Sequence, residues 1–186
     1  MPNMDKYFLN RSDAVLVIVD VQERLAAVMT QREKVVRNCL HLVEGTDLLG
    51  LPLILTEQYP RGLGPTVPEL REKIRRYEPL EKITFDCCGE PSFHQKLAET
   101  GRKKVILAGM ETHVCVLQTA LGLMKEGYDV HVVEDAVCSR AKENFRAGLE
   151  LMRDARAVIS CTETVLFQLL EKAGTTEFKA VSALIK

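Results

Sequence analysis

The sequence alternates short apolar runs with longer amphipathic segments, and no other feature restricts the possible fold as much. This order is typical of βαβ units, in which helices cover both faces of a parallel sheet. Runs that are apolar throughout indicate strands buried on both faces. Six strands are predicted: Ala14–Val19, Leu53–Thr56, Glu81–Phe85, Lys104–Ala108, Asp129–Val133 and Ala157–Ser160. The chain is therefore expected to form an α/β protein with a parallel sheet.

Helices are predicted between the strands, where apolar residues recur at helical spacing. Thr112 is the expected N-cap of one helix, and the spacing of Ser160 and Glu163 predicts a capping box before another. The stretch Glu57–Pro68 holds too much glycine and proline for a regular element, so we expect a functional loop there. No linker or repeat interrupts residues 1–186, which favours one domain. Further helices are predicted over Lys34–Leu49, Val114–Lys125, Asn144–Arg153 and the tail Thr175–Lys186.

The composition argues against several classes of function. A formal net charge of −1 gives no general attraction to nucleic acid or to anionic membranes. No stretch approaches the roughly 20 apolar residues of a membrane span. The segment Met1–Arg11 lacks the apolar core of a signal peptide. We therefore expect a cytoplasmic protein that acts on a small molecule, without a nucleic-acid or membrane partner.

The cysteines and histidines predict neither a disulfide framework nor a metal site. Six cysteines are spread over the 186 residues without a CxxC pair, and the four histidines show no ligand spacing. Free thiols, no metal and no cofactor are therefore expected.

Three side chains near predicted strand ends are candidates for chemistry. Asp20 follows the first strand, Lys82 lies in the third, and Cys115 follows the fourth near a helix start. Helix amides and the helix dipole lower a thiol pKa, and the thiolate is the nucleophilic form. Each residue also has an ordinary structural reading. Asp20 suits a turn or a cap, Lys82 suits a solvated strand edge, and Cys115 suits a core.

The common position of these three residues favours a catalytic reading. Ligands of parallel sheets bind outside the carboxyl ends of the strands, and all three residues lie at or near that edge. A carboxylate, an amine and a thiol together supply a base, a cation and a nucleophile. Asp20 would take the thiol proton and Lys82 would favour the thiolate. Backbone N–H groups near Cys115 would hold an oxyanion.

Four segments carry a resemblance to a known family. They are Val17–Gln22 (VIVDVQ), Glu81–Phe85 (EKITF), Gly109–Val116 (GMETHVCV) and Val132–Arg140 (VVEDAVCSR). The third segment is the most specific of them. From about Asp13 onward, the chain resembles the isochorismatase-like cysteine hydrolase superfamily, which includes nicotinamidases and N-carbamoylsarcosine amidases.

The resemblance implies a three-layer α/β/α fold with a six-stranded parallel sheet of order 3-2-1-4-5-6. It also implies a triad of Asp20, Lys82 and Cys115, whose thiolate attacks an amide-type carbonyl before water releases the acyl-thioester. A cis peptide bond between Met110 and Glu111 belongs to the same pattern, as does an oxyanion hole formed by the N–H groups of Glu111 and Cys115. Relatives commonly form dimers or larger rings, so we expect a homo-oligomer.

Departures from the family pattern narrow the expected chemistry. Nicotinamidases carry a metal motif rich in Asp and His after the second strand, whereas Thr56–Gly62 contains no histidine. Isochorismatases proper, which cleave a vinyl ether, lack a cysteine at the position of Cys115. We therefore expect hydrolysis of a C–N bond, other than a peptide bond, in a small amide or carbamoyl compound. Gln58, Tyr59 and Phe85 are the expected substrate contacts.

Two readings from other classes stay open at the sequence level. The chain would be a catalytically silent binding or scaffold member of the fold, or a thiol redox sensor that pairs Cys115 with Cys87 or Cys88. Slow alkylation of Cys115 with an ordinary thiol pH dependence would count against an activated nucleophile. A disulfide formed under mild peroxide would favour the redox sensor.

Overall fold

The computed structural model describes residues 4–186, which contain a six-stranded, all-parallel sheet. Its strand order is β3-β2-β1-β4-β5-β6. The predicted fold class and strand order are therefore confirmed. The strands are β1 Ala14–Val19, β2 Leu53–Gln58, β3 Leu80–Lys82, β4 Lys104–Met110, β5 Asp129–Cys138 and β6 Val158–Ser160.

Helices cover both faces of the sheet and form the outer two layers. Helices α2, α8 and α9 pack on one face, and α5, α6 and α7 pack on the other. In the described part of the chain, no helix is both long and apolar enough to cross a membrane. The α-helices are α1 Glu23–Ala26, α2 Arg32–Leu48, α3 Pro60–Leu63, α4 Pro68–Arg71, α5 Pro91–Thr100, α6 Leu117–Lys125, α7 Lys142–Asp154, α8 Thr162–Leu170 and α9 Thr176–Leu184.

Two hydrophobic cores follow from the alternation of side chains along buried strands. In β1, Leu16 and Ile18 point into the core shared with α2, whereas Val15 and Val17 point into the core shared with α6. All four side chains are fully buried, and each contributes about 1.5–3 kcal/mol through burial. Cys115 belongs to the second core. The first strand is thus packed on both faces, which fixes the position of the backbone at its carboxyl end.

The third strand is shorter than the predicted Glu81–Phe85 and ends at Lys82. The N–H groups of Ile83 and Thr84 donate to the Glu90 carboxylate at 3.0 and 3.1 Å rather than to a neighbouring strand. Side-chain competition for backbone groups therefore ends the strand early.

The expected loop Glu57–Pro68 is more regular than predicted. Strand β2 runs on to Gln58, and the helices α3 and α4 begin at Pro60 and Pro68. Proline at the first helical position has its φ already set for the helix, so both short helices start where the sequence allows.

Both predicted helix caps are wrong. Glu111 precedes a π-helical segment, Thr112–Val116, so Thr112 lies inside that segment instead of capping it. Ser160 ends β6, and the Asp135 carboxylate of β5 accepts from the Thr162 N–H at 2.8 Å. The Asp135 side chain, from a neighbouring strand, thus caps α8 in place of the predicted Ser160.

Candidate active site

Asp20 leaves β1 with a left-handed backbone conformation and is fully buried. Its φ is 53°, a region that Asp visits more readily than most residues. One carboxylate oxygen, Oδ2, lies 2.7 Å from the Lys82 ammonium. The other, Oδ1, accepts a hydrogen bond of 2.7 Å from the Thr56 hydroxyl. Both oxygens of this buried carboxylate therefore have partners, as a buried charge requires.

Lys82 is held by oxygen atoms on several sides. Its Nζ donates to Gln58 Oε1 at 2.6 Å and to the carbonyls of Thr84 and Phe85 at 3.2 and 3.3 Å. Burial is the largest single influence and acts to lower the Lys82 pKa, but the Asp20 carboxylate and the neighbouring Cys87 and Cys115 together outweigh it, and the pKa is raised. Lys82 is therefore a buried cation.

Cys115 lies in the π-helical segment and is only 5% exposed. Segments of this kind occur often at functional sites. The N–H groups of Val114 and Val116, on either side of Cys115, both donate to the Glu111 carbonyl, at 3.1 and 3.2 Å. This pattern fixes the backbone of the turn that presents the thiol.

The thiol pKa of Cys115 is raised to about 12, opposite to the direction predicted from its place at a helix start. Burial contributes most. The negative charge of the nearby Asp20 carboxylate adds to it, and together they outweigh the cation of Lys82. The resting site thus holds a neutral thiol next to a carboxylate that can accept its proton.

The two residues that follow β5, Ser139 and Arg140, contact the segment that precedes Cys115. The peptide bond between Met110 and Glu111 is cis. The Glu111 carboxylate accepts from the N–H and the Nε of Arg140 at 3.0 and 3.1 Å. His113 Nδ1 lies 2.9 Å from the hydroxyl of Ser139, the residue directly after β5.

Cys87 is a second buried thiol beside the ion pair. Its Sγ lies 4.0 Å from the Thr56 hydroxyl. Its pKa is raised to about 12, first by burial and then by the Asp20 carboxylate. Cys88, its neighbour, is only partly buried. All six cysteines of the chain are free thiols.

The three expected substrate contacts have different surroundings. Gln58 is buried, with its amide group between Lys82 and the Ile83 carbonyl, to which Nε2 donates at 2.7 Å. Tyr59 and Phe85 are 52% and 53% exposed. The structure therefore places Gln58 against the ion pair and leaves the two aromatic rings at the surface.

Two further buried polar residues at the site were not predicted. Gln22 accepts from the N–H of Gln58 at 2.7 Å and donates to its carbonyl at 3.1 Å. Glu57 accepts from both the N–H and the hydroxyl of Thr66, at 2.6 and 2.7 Å, and from the Tyr77 hydroxyl. For Glu57, the available signal was the polar run Thr56 to Gln58 at the end of an otherwise apolar strand.

Within residues 4–186, no three His, Cys, Asp or Glu side chains are arranged to hold a metal ion.

Comparison with known proteins agrees with the fold and the sequence pattern. The isochorismatase domain model matches residues 14–164. The secreted isochorismatase effector Isc1 of Phytophthora sojae is 40% identical over 177 residues, which cover 93% of this chain and 84% of that protein. The solved structure of MAR1 ribonuclease from Caenorhabditis elegans is 35% identical, with a TM-score of 0.90 over 96% of this chain and 92% of that one.

Two solved structures of YcaC are also similar. YcaC from Pseudomonas aeruginosa, with hexane-2,5-diol and covalent acrylamide, is 28% identical, with a TM-score of 0.89 over 95% of this chain and 91% of that one. The Escherichia coli YcaC gene product, an octameric hydrolase of unknown specificity, is 26% identical, with a TM-score of 0.90 over 99% and 92%. With its fold, its sequence pattern and these relatives in agreement, the chain belongs to the isochorismatase family.

Proposed function

We propose that this chain hydrolyses a small amide or carbamoyl compound through a covalent thioester on Cys115. The observation that carries the proposal is the buried Asp20–Lys82 ion pair, which lies close enough to the Cys115 thiol for both of its charges to act on the thiol pKa. A thiol, a base and a cation in one buried cluster are the groups that covalent catalysis at a carbonyl requires.

The first half of the proposed reaction forms the thioester. Asp20 accepts the thiol proton while the sulfur of Cys115 attacks the carbonyl carbon. The backbone N–H groups of Glu111 and Cys115 stabilise the oxyanion. The C–N bond then breaks, and the leaving amine takes the proton from Asp20.

The second half releases the acyl group. Asp20, again a carboxylate, removes a proton from water as the water oxygen attacks the thioester carbonyl. The C–S bond breaks, the proton returns to the sulfur, and the resting thiol is restored. Lys82 keeps its charge throughout and stabilises the negative charge that moves between sulfur and carboxylate.

Cys115→Ala is expected to abolish ammonia release from any small amide that the wild-type protein hydrolyses, with a loss of at least about a thousandfold. Acrylamide is a suitable labelling probe, since the related P. aeruginosa YcaC has a covalent acrylamide. Modification of Cys115 by acrylamide, followed by peptide mass spectrometry, should remove activity in parallel.

Cys87→Ala is the matched control, because it removes a second buried thiol beside the same ion pair. We expect it to retain activity. Turnover that survives in Cys115→Ala would overturn the mechanism. A Cys115–Cys87 disulfide under mild peroxide, together with no amide turnover in the wild type, would favour the redox sensor instead. The wild-type protein is assayed separately for RNA cleavage, because the similar C. elegans protein is named a ribonuclease.

Asp20→Asn should change turnover and thiol reactivity in opposite directions. Loss of the base is expected to lower turnover by about 100- to 10,000-fold. Because Asp20 raises the thiol pKa, its neutralisation lowers that pKa, and Cys115 should react faster with iodoacetamide at pH 8. Pseudo-first-order alkylation rates measure the second effect. Slower alkylation together with slower turnover would contradict the assigned role of Asp20.

We further propose a cytoplasmic homo-oligomer. The free thiols suit a reducing compartment. Self-association is supported by the octameric E. coli relative and by three exposed apolar side chains around the end of β3, namely Tyr59, Ile83 and Phe85.

A further inference from the structure

Strand β2 lies between the two strands that carry the ion pair. Asp20 follows β1 and Lys82 ends β3, and these strands are not neighbours in the sheet order. Val19 is in register with Thr56, and Lys82 is in register with Gln58. The Asp20–Lys82 pair therefore has to meet across the carboxyl end of β2.

The side chains of β2 alternate between the two faces of the sheet at this point. Ile54 packs in the same core as Cys115, so Thr56 and Gln58, two and four residues further on, point to that face. Thr56 binds Asp20, and Gln58 binds Lys82. Glu57 binds Thr66 instead, by way of the opposite face. Each charge of the pair thus receives one side-chain partner from β2.

The orientation of the Gln58 amide follows from its two partners. A carbonyl oxygen only accepts hydrogen bonds and an ammonium only donates them. Nε2 must therefore face the Ile83 carbonyl, at 2.7 Å, and Oε1 must face Lys82, at 2.6 Å. Both ends of the amide are in use, and the side chain is buried.

The Lys82 ammonium has three protons and four oxygen neighbours. The two shortest contacts are to Asp20 Oδ2 and Gln58 Oε1, at 2.7 and 2.6 Å. The carbonyls of Thr84 and Phe85 share the third proton, at 3.2 and 3.3 Å from Nζ. Gln58 is thus one of the two groups that determine where the charge lies.

We infer that Gln58 is a positioning residue for Lys82 rather than a substrate contact. It fixes the ammonium so that the positive charge acts on the sulfur of Cys115. This inference rests on the proposed function, since it assigns Gln58 a part in preparing the same nucleophile. Positioning by a neutral acceptor adds no negative charge beside the sulfur, which a second carboxylate would do.

The test is the pH profile of Cys115 alkylation by iodoacetamide in Gln58→Met. Methionine has a similar length but cannot accept the strong hydrogen bond from Lys82. Because Lys82 lowers the Cys115 pKa, a poorly held Lys82 should shift the profile to higher pH. We expect an alkylation rate about tenfold lower at pH 8, which corresponds to one pKa unit.

Glu57→Gln is the matched control. Glu57 is the neighbouring residue in β2 and is comparably buried, at 4% against 8% exposure for Gln58. All three of its hydrogen bonds end on Oε1, which glutamine also has. We expect Glu57→Gln to have the wild-type pH profile, even where its thermal stability falls.

Gln58→Asn keeps the inference testable should Gln58→Met fail to fold. Asparagine retains the polar amide but is one methylene shorter, so its oxygen falls short of the Lys82 ammonium and the alkylation profile should again move to higher pH. Profiles of the Gln58 variants that coincide with that of Glu57→Gln would overturn the inference. If wild-type Cys115 reacts no faster than the buried Cys39, the proposed function itself fails. A reactive wild type with unchanged Gln58 profiles would overturn only the positioning role.

Discussion

Lys82→Met is expected to lower the free energy of unfolding by about 3–5 kcal/mol. The substitution leaves the Asp20 carboxylate in a fully buried place without its counter-ion, 2.7 Å from where the ammonium was. The Thr56 hydroxyl still donates to Oδ1, but one neutral donor does not replace a cation. Urea unfolding at pH 7.5, followed by circular dichroism, gives the change.

The double variant Asp20→Asn/Lys82→Met tests this cause directly. It leaves no unpaired charge, so its destabilisation should be smaller than the sum of the two single losses. Asparagine suits the left-handed backbone at position 20, which keeps the comparison free of backbone strain. An additive double variant would mean that the ion pair does not cause the loss.

Lys104→Met is the control for removal of a buried lysine as such. The Lys104 side chain is also almost fully buried, but the Asp5 carboxylate that it contacts at 3.1 Å is largely exposed. Its loss therefore leaves no buried carboxylate unpaired, and we expect a cost of only about 1–2 kcal/mol. Equal losses in Lys82→Met and Lys104→Met would contradict the argument.

The sequence was sufficient to predict the sheet because each strand carries its own apolar signal. β1 matches its predicted bounds, Ala14–Val19. Ends that depend on side chains from outside the strand or helix itself could not be predicted. β3 ends at Lys82 because Glu90 takes the next N–H groups, and α8 is capped by Asp135 of a neighbouring strand.

The candidate site shows the same division between local and distant information. The position of Asp20 after an apolar strand pointed to a functional carboxylate, and the structure places it on Lys82. The thiol pKa of Cys115 could not be predicted from the helix start, because burial and Asp20 outweigh local effects. The sequence suggested only a substrate contact for Gln58. Its actual partner, Lys82, becomes evident once β2 is seen to pair with β3.

Gly109→Ala is expected to destabilise the fold by more than about 4 kcal/mol, so that little soluble protein is recovered. Gly109 lies in β4 with a φ of +125°. A Cβ there would lie 2.0 Å from the carbonyl oxygen of Val19, its register partner in β1. Soluble yield and the urea midpoint measure the effect.

Gly101→Ala separates close approach from backbone strain. Gly101 also has a positive φ, +65°, but a Cβ there would meet no heavy atom within 4 Å. We expect a cost of about 1 kcal/mol for the unfavourable φ alone. Equal effects of the two substitutions would show that β1 and β4 have room to separate.

The position of this contact explains why separation of the strands would also affect the candidate site. Val19 directly precedes Asp20, and Gly109 precedes the Met110–Glu111 bond that leads to Cys115. Moving the two backbones apart by even 1 Å would move the Asp20 carboxylate away from the Cys115 thiol, whose proton it is proposed to accept. Any soluble Gly109→Ala protein should therefore lose amide turnover, whereas Gly101→Ala should retain it. Wild-type turnover in soluble Gly109→Ala would show that the site tolerates a wider gap between β1 and β4.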